Sequence, residues 1–121
     1  MPTILTVDDS PSVRHVVKTV LSGAGYTVIE AGDGAEGLAK AKSTPVNMII
    51  TDLNMPVMNG LELIKNLRKV PSIVGIPIVF LTTESSDGTK QEAKAAGATG
   101  WITKPFKPEQ LLAVVSKLVR K

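Results

Sequence analysis

A chain of 121 residues, 43% hydrophobic and 21% charged, is long enough for one sizeable core and has ordinary globular usage, which excludes disorder and low complexity. It has no cysteine, which removes disulfides, zinc ribbons and thiol chemistry and fits a reducing compartment. The net charge of +3 is modest, and only Arg68-Lys69 and Arg120-Lys121 stand together, so the basic residues read as solvated helix faces and not as a nucleic-acid patch.

No apolar stretch approaches the ~20 residues of a membrane span. Met1-Pro2-Thr3 does not begin a secretory signal, and the combined expectation is a cytoplasmic protein engaging neither membrane nor nucleic acid. Along the chain, a first β-branched run over 4–7 ends on Asp8-Asp9. Ser10 then offers an N-cap with Pro11 at the first helical position, and the helix stops near Gly23 or Gly25. A second strand covers 27–29, followed by a Gly32-Asp33-Gly34 turn. Asp33 and Glu36 form a capping-box pattern for a second helix that closes before Pro45. The third strand, 48–51, stops abruptly at Asp52, with Met55-Pro56 and Asn59-Gly60 turn signals behind it. A third helix is predicted over 60–70 with Leu61, Ile64 and Leu67 on one stripe. A fourth strand over 76–81 leads into Thr82-Thr83, and a short, Ala-rich, weakly amphipathic helix covers 88–96. The fifth strand, 101–103, is followed by Lys104, and a last helix from Pro108 carries Leu111, Leu112, Val115, Leu118 and Val119 on one face.

Five apolar runs alternating with five helical patterns predict an α/β fold: a doubly wound, five-stranded parallel sheet covered on both faces, within one domain over 1–121. On such sheets ligands sit outside the carboxyl ends of the strands. That rule selects Asp8, Asp9, Asp52, Thr82, Thr83 and Lys104, which all follow strand ends. A single Asp in that position is ordinarily a loop start or helix cap; it is the joint placement that points to chemistry. Three crowded carboxylates retain protons or bind a cation. Oxygen donors without His or Cys suit a hard ion, Mg²⁺ most naturally. The set fits phosphoryl transfer, with Asp52 as nucleophile, Lys104 and the metal neutralising phosphoryl oxygens, and the Thr82 hydroxyl donating a hydrogen bond. No GxxxxGK[ST] loop is present, and the single histidine, His15, falls inside the first helix with a structural or surface role.

Four segments, VDDS at 7–10, TDLNMPVMNGLEL at 51–63, LTTE at 81–84 and GWITKPF at 100–106, resemble the receiver domain of two-component response regulators over essentially the whole chain. The resemblance implies a flavodoxin-like sheet of strand order 2-1-3-4-5. It implies that Asp52 is the phosphoacceptor, charged by a histidine kinase, with Asp9 binding Mg²⁺ directly, Asp8 through water and Asn54 through its backbone carbonyl. Lys104 would contact the phosphoryl group, the Lys104–Pro105 bond would be cis, and Thr82 and Trp101 would form a switch pair. A kinase, a downstream protein target and a phosphatase are the implied partners. The protein itself would not be an enzyme in the usual sense, although it assists its own phosphorylation and dephosphorylation.

This chain departs from the common pattern at Trp101, where Tyr or Phe is usual, and at Thr83, where Ala or Gly is usual. Asn54 and Glu84 flank the expected phosphoryl pocket and resemble a pairing that tunes dephosphorylation in chemotaxis regulators. The bulk of the indole predicts an outward ring in the unphosphorylated chain. Lys90 and Lys94 stand where a motor-binding regulator would offer apolar anchors. The expected function is a stand-alone regulator in chemotaxis without an output domain, with a phosphate sink or phosphorelay intermediate next. A haloacid-dehalogenase-like phosphohydrolase, the alternative of a different class, needs a second acid two residues after the nucleophile, where Asn54 stands.

Overall fold

The computed structural model describes residues 2–55 and 57–119. Met1, Pro56 of the Met55-Pro56 turn signal and the Arg120-Lys121 pair lie outside the described residues. Strands β1 (Thr3–Val7), β2 (Thr27–Ala31), β3 (Met48–Thr51), β4 (Ile78–Thr82) and β5 (Gly100–Thr103) form one parallel sheet in the order β2-β1-β3-β4-β5. They alternate with α1 (Pro11–Gly23), α2 (Gly34–Ser43), α3 (Gly60–Leu67), α4 (Asp87–Ala95) and α5 (Pro108–Leu118). This is the doubly wound sheet with five helices that the alternation predicts.

Period-two alternation sorts the strand side chains onto two faces. Leu5, Val7, Ile49, Ile78 and Phe80 pack with Ala41 of α2, Leu63, Ile64 and Leu67 of α3 and Ala93 of α4. Their neighbours Ile4, Met48, Ile50, Val79, Leu81 and Ile102 pack with Val17 and Leu21 of α1 and Leu111 and Val115 of α5. With only Phe80 among fully buried aromatics, the core is aliphatic, as the scarcity of rings requires.

Several boundaries differ from expectation for physical reasons. β4 begins at Ile78 and not 76, because Pro77 has no N–H to give the ladder; it contributes its carbonyl to Ile49 N–H at 2.9 Å. α3 stops at Leu67, not 70, and its core stripe is Leu63, Ile64 and Leu67, with Leu61 only partly buried. Asn59 is the α3 cap and not a turn residue: its Oδ1 accepts Glu62 N–H at 2.9 Å, and Glu62 returns a bond to Asn59 N–H. At α2, Asp33 accepts Glu36 N–H as predicted, but the Glu36 carboxylate takes Gly32 N–H, one residue ahead of the box position.

Arg68 is a further correction, since it is no solvated surface charge. Its guanidinium donates to the carbonyls of Ile73, Val74 and Ile76 and, through two nitrogens, to that of Gly97. Gly97 sits at φ +109°, and a Cβ there would press the Arg68 side chain at 3.0 Å, so glycine is required for the clasp. The bare pattern of basic residues carries no sign of such a role.

The turn from β3 into α3 is closed by Gly60 N–H bonding Leu53 O at 2.8 Å. A Cβ on Gly60 would lie 2.4 Å from the Asp52 carbonyl oxygen and 2.6 Å from the Phe80 ring. Backbone and a packed ring cannot both retreat, so Gly60→Ala is expected to lower stability by about 1–3 kcal/mol. Urea unfolding should show a lower midpoint with an unchanged slope.

Candidate functional site

The ladder brings the acids together. Val7 pairs with Thr51 across β1 and β3, and the next residue on each strand is an aspartate. Asp52 N–H bonds Val7 O at 2.9 Å and Asp8 N–H bonds Ala31 O at 3.1 Å, so both backbones are held at the point where the strand order reverses. Asp8 and Asp52 are buried, and Asp9 is exposed at the cleft mouth. One carboxylate oxygen from each of the three lies within 4.8 Å of the others.

Lys104 reaches the same point from the far side of the sheet. Its own N–H bonds Thr82 O at 2.8 Å, which fixes the start of its loop, and the Lys104–Pro105 peptide bond is cis. Its Nζ donates to Asp8 Oδ2 at 2.9 Å and to Asp52 Oδ2 at 3.2 Å. The remaining oxygens are also occupied: Asp8 Oδ1 accepts Ser10 N–H at 2.9 Å, and Asp52 Oδ1 accepts Leu53 N–H at 2.7 Å.

The electrostatics follow from one ammonium paired with two buried carboxylates, with the Asp9 carboxylate close by. Burial pushes the Asp8 carboxyl above the usual carboxylate range, against the hydrogen bonds of Lys104 and Ser10. Burial also works to lower Lys104, but the hydrogen bond and charge of Asp8, joined by those of Asp52, outweigh it and hold Lys104 above the ordinary lysine value. Both shifts favour the protonated form, at Asp8 because burial penalises its charge and at Lys104 because the carboxylates of Asp8 and Asp52 support its charge. A raised Asp8 means that the folded chain holds this proton more tightly than the unfolded chain. Ionised Asp8 therefore costs the metal-free fold stability as pH rises through the raised value, and the cost is absent below the ordinary value.

These donors suit a divalent hard cation: they are oxygens only, two of them are buried and prepositioned, and the third is free at the mouth. Asp8, Asp9 and Asp52 would hold it, and the ion would supply the positive charge that Lys104 alone does not.

Thr82, fully buried, ends β4 beside this cleft, and its Oγ1 accepts Glu84 N–H at 3.3 Å. Glu84 in turn accepts Trp101 Nε1–H on its backbone carbonyl at 3.1 Å. The indole is half-buried, with its ring centroid 5.5 Å from that of Phe80 and Lys90 Nζ 6.0 Å above it. The indole is thus tethered to the β4–α4 loop by its N–H. Thr83 and Asn54 are exposed at the rim, and His15 is exposed on α1, away from the cleft. Sequence reasoning names the acids, Lys104, Thr82 and Trp101, but misses the backbone of Glu84 as the link between the last two. It also misses Arg14, which donates to the Asp8 carbonyl; no motif marks either contact.

Comparison with known proteins agrees with this arrangement. The model of the response regulator receiver domain matches residues 4–116. The chemotaxis protein CheY1 of Helicobacter pylori is 41% identical over 110 residues, covering 89% of each chain. The solved structure of chemotaxis response regulator CheY4 of Vibrio cholerae superimposes with a TM-score of 0.94 at 49% identity, over 98% of this chain and 99% of that one. The receiver domain of sensor histidine kinase PA1611 of Pseudomonas aeruginosa, with a TM-score of 0.90 at 26% identity over 97% and 96% of the two chains, carries a magnesium ion coordinated in its active site cleft.

Removing the exposed acid deletes a ligand while relieving repulsion. Asp9→Ala is expected to bind Mg²⁺ more weakly and to keep or raise the thermal midpoint without metal. For the parent, Mg²⁺ at 100 times its dissociation constant should add about 2.7 kcal/mol of stability. Calorimetry and thermal unfolding with and without Mg²⁺ measure both effects.

Proposed function

The chain belongs to the response regulator receiver domain family, and from that premise we propose that Asp52 accepts a phosphoryl group from a histidine kinase and that the charge gained there resets a protein-binding surface around Trp101. The observation that carries this reading is the shared Nζ of Lys104, hydrogen-bonded at once to Asp8 and Asp52. It is a cation already aimed at the place where phosphoryl oxygens would arrive.

Leu53 N–H holds Asp52 Oδ1, which leaves Oδ2 facing the cleft as the attacking oxygen. As the new P–O bond forms, the P–N bond of the kinase's phosphohistidine breaks and its electron pair returns to the imidazole. Asp9 and Asp52, with Asp8 through water and the Asn54 carbonyl, would hold Mg²⁺, which when bound would neutralise charge on the phosphoryl oxygens. Lys104 exchanges its Asp52 contact for a phosphoryl oxygen, and Thr82 turns its hydroxyl toward another. Thr83 and Glu84 flank the pocket, and with Asn54 they govern how readily water reaches the phosphoryl group.

The turn of Thr82 has a mechanical consequence. Glu84 N–H loses its acceptor, and the same residue's carbonyl holds the Trp101 indole, so the β4–α4 loop and the ring shift together. This is a bias between two arrangements by differential contact. The kinase, a downstream protein and a phosphatase are the partners, in the cytoplasm. The likeness to the chemotaxis proteins of H. pylori and V. cholerae supports a chemotaxis role. Lys90 and Lys94 line the groove beside Trp101, which keeps a phosphate sink or relay intermediate as the second reading. A haloacid-dehalogenase-like phosphohydrolase is disfavoured by Asn54, whose amide cannot serve as the general acid and base that a carboxylate there would supply.

Asp52→Asn is expected to keep the fold and lose all acid-labile phosphate after incubation with a small phosphodonor and Mg²⁺; substantial labelling of that variant would falsify the assignment. For the switch, Trp101 fluorescence should change on adding Mg²⁺ and beryllofluoride, and acrylamide quenching should fall. Thr82→Ala should shrink both responses while the mimic still binds. Identical quenching with and without the mimic removes Trp101 from the switch.

A further inference from the structure

The acidic turn after β1 has a restraint that lies outside the cleft. Arg14, on the second turn of α1, donates through Nη1 to the backbone carbonyl of Asp8 and through Nε to Glu30 Oε1 at 3.3 Å. Glu30 sits on β2, one residue before its end, and is itself fixed: Lys18 Nζ lies 3.6 Å from its other carboxylate oxygen, and Lys40 of α2 donates to its backbone carbonyl. The guanidinium, with its side chain 19% exposed, thus ties α1 and β2 to one peptide group. That peptide group is the one joining Asp8 to Asp9.

We propose that Arg14 is a positioning residue for the divalent cation: by clamping the Asp8–Asp9 peptide plane against Glu30, it sets the direction in which the Asp9 carboxylate leaves the backbone. This rests on the reading of Asp8, Asp9 and Asp52 as the cation site. The geometry is specific to that peptide. Asp8 is held at its N–H by Ala31 O and at its side chain by Ser10 and Lys104. Among the described residues, the contacts of Asp9's own side chain include no hydrogen bond or ion pair, so its orientation depends on the backbone that precedes it. A planar fork that donates to a carbonyl and a carboxylate together is a task for Arg and not for Lys. Groups that orient metal ligands from behind commonly carry 10- to 100-fold of metal affinity.

The effect has a sign that separates it from plain electrostatics. Arg14 is a cation close to a cation site, so as a bare charge it weakens Mg²⁺ binding, and its removal would tighten it. As a clamp it strengthens binding, and its removal loosens it. Calorimetric titration with Mg²⁺ is therefore expected to give a dissociation constant about tenfold higher for Arg14→Ala than for the parent. Arg14→Lys, which keeps the charge and one donor, should fall between the two. Thermal unfolding without Mg²⁺ runs alongside, and if the alanine variant does not fold, the lysine variant carries the decision: a pure charge role predicts parental affinity for it, the clamp predicts a loss. Affinity equal to or tighter than the parent in the folded variant overturns the proposal. A parent that binds no Mg²⁺ sinks the cation site itself, a result distinguishable from either.

Discussion

The bond that the rest of the site depends on runs from Lys104 Nζ to Asp8 and Asp52. It spans the sheet: Lys104 follows β5, Asp52 follows β3 and Asp8 follows β1, so a single ammonium joins the ends of three strands. All three groups are largely out of water, where an unpaired charge is costly and a paired one is held firmly. Yet the pairing is incomplete, because three carboxylates meet one cation. Burial accounts for the raised Asp8 and the facing carboxylates for the raised Lys104, and the uncompensated negative charge suits a divalent ion. A site balanced in charge would be a structural ion pair and nothing more.

Around this centre the fold supplies rigidity by unglamorous means. Backbone ladder bonds aim Asp8 and Asp52. Gly60 lets the start of α3 come within contact of the Asp52 carbonyl. Arg68 collects carbonyls from the segment before β4 and from the turn before β5, holding the strands on the Trp101 side in place. Glu84 links the cleft to the Trp101 side through its backbone. Its N–H donates to Thr82 Oγ1 and its carbonyl accepts from the Trp101 indole, so one residue's backbone joins the buried hydroxyl to the half-buried ring. Val57, exposed at 82% with a φ of 70°, marks the other loop beside Asp52 as strained, since a β-branched residue resists the left-handed region.

Most of the fold was legible because the signals are local. Ser10-Pro11, Asp33 and Pro108 mark helix starts by their own chemistry, and β-branched runs mark strands. The errors occur where local signals compete with contacts from afar. The apolar stripe of α3 differs from the pattern at one position, Leu63 being fully buried while Leu61 packs only partly buried against the same core, because the docking face depends on how α3 lies against the sheet and α2. The start of β4 was misplaced because apolar Ile76 looks like strand, whereas ladder formation waits for the first N–H after Pro77. Arg68 and Arg14 look like any surface arginine in the sequence, since the carbonyls that Arg68 gathers and the Asp8 carbonyl that Arg14 holds are main-chain groups without identity of their own.

The sequence by itself determined which acids, which lysine and which hydroxyl end strands, and therefore that a cluster of oxygen donors and one ammonium share one edge. Side-chain type and strand alternation suffice for that, because the carboxyl ends of parallel strands meet whatever the details of packing. Only the tertiary structure decided how those groups are restrained. The shared Nζ of Lys104 and the Glu84 bridge to the Trp101 indole join residues far apart in the chain, and Arg14 joins the nearby Asp8 carbonyl to Glu30 on β2, several of these contacts being made to backbone. A backbone carbonyl reads the same at every position of a sequence, so its partner is known only when folding has brought the two together.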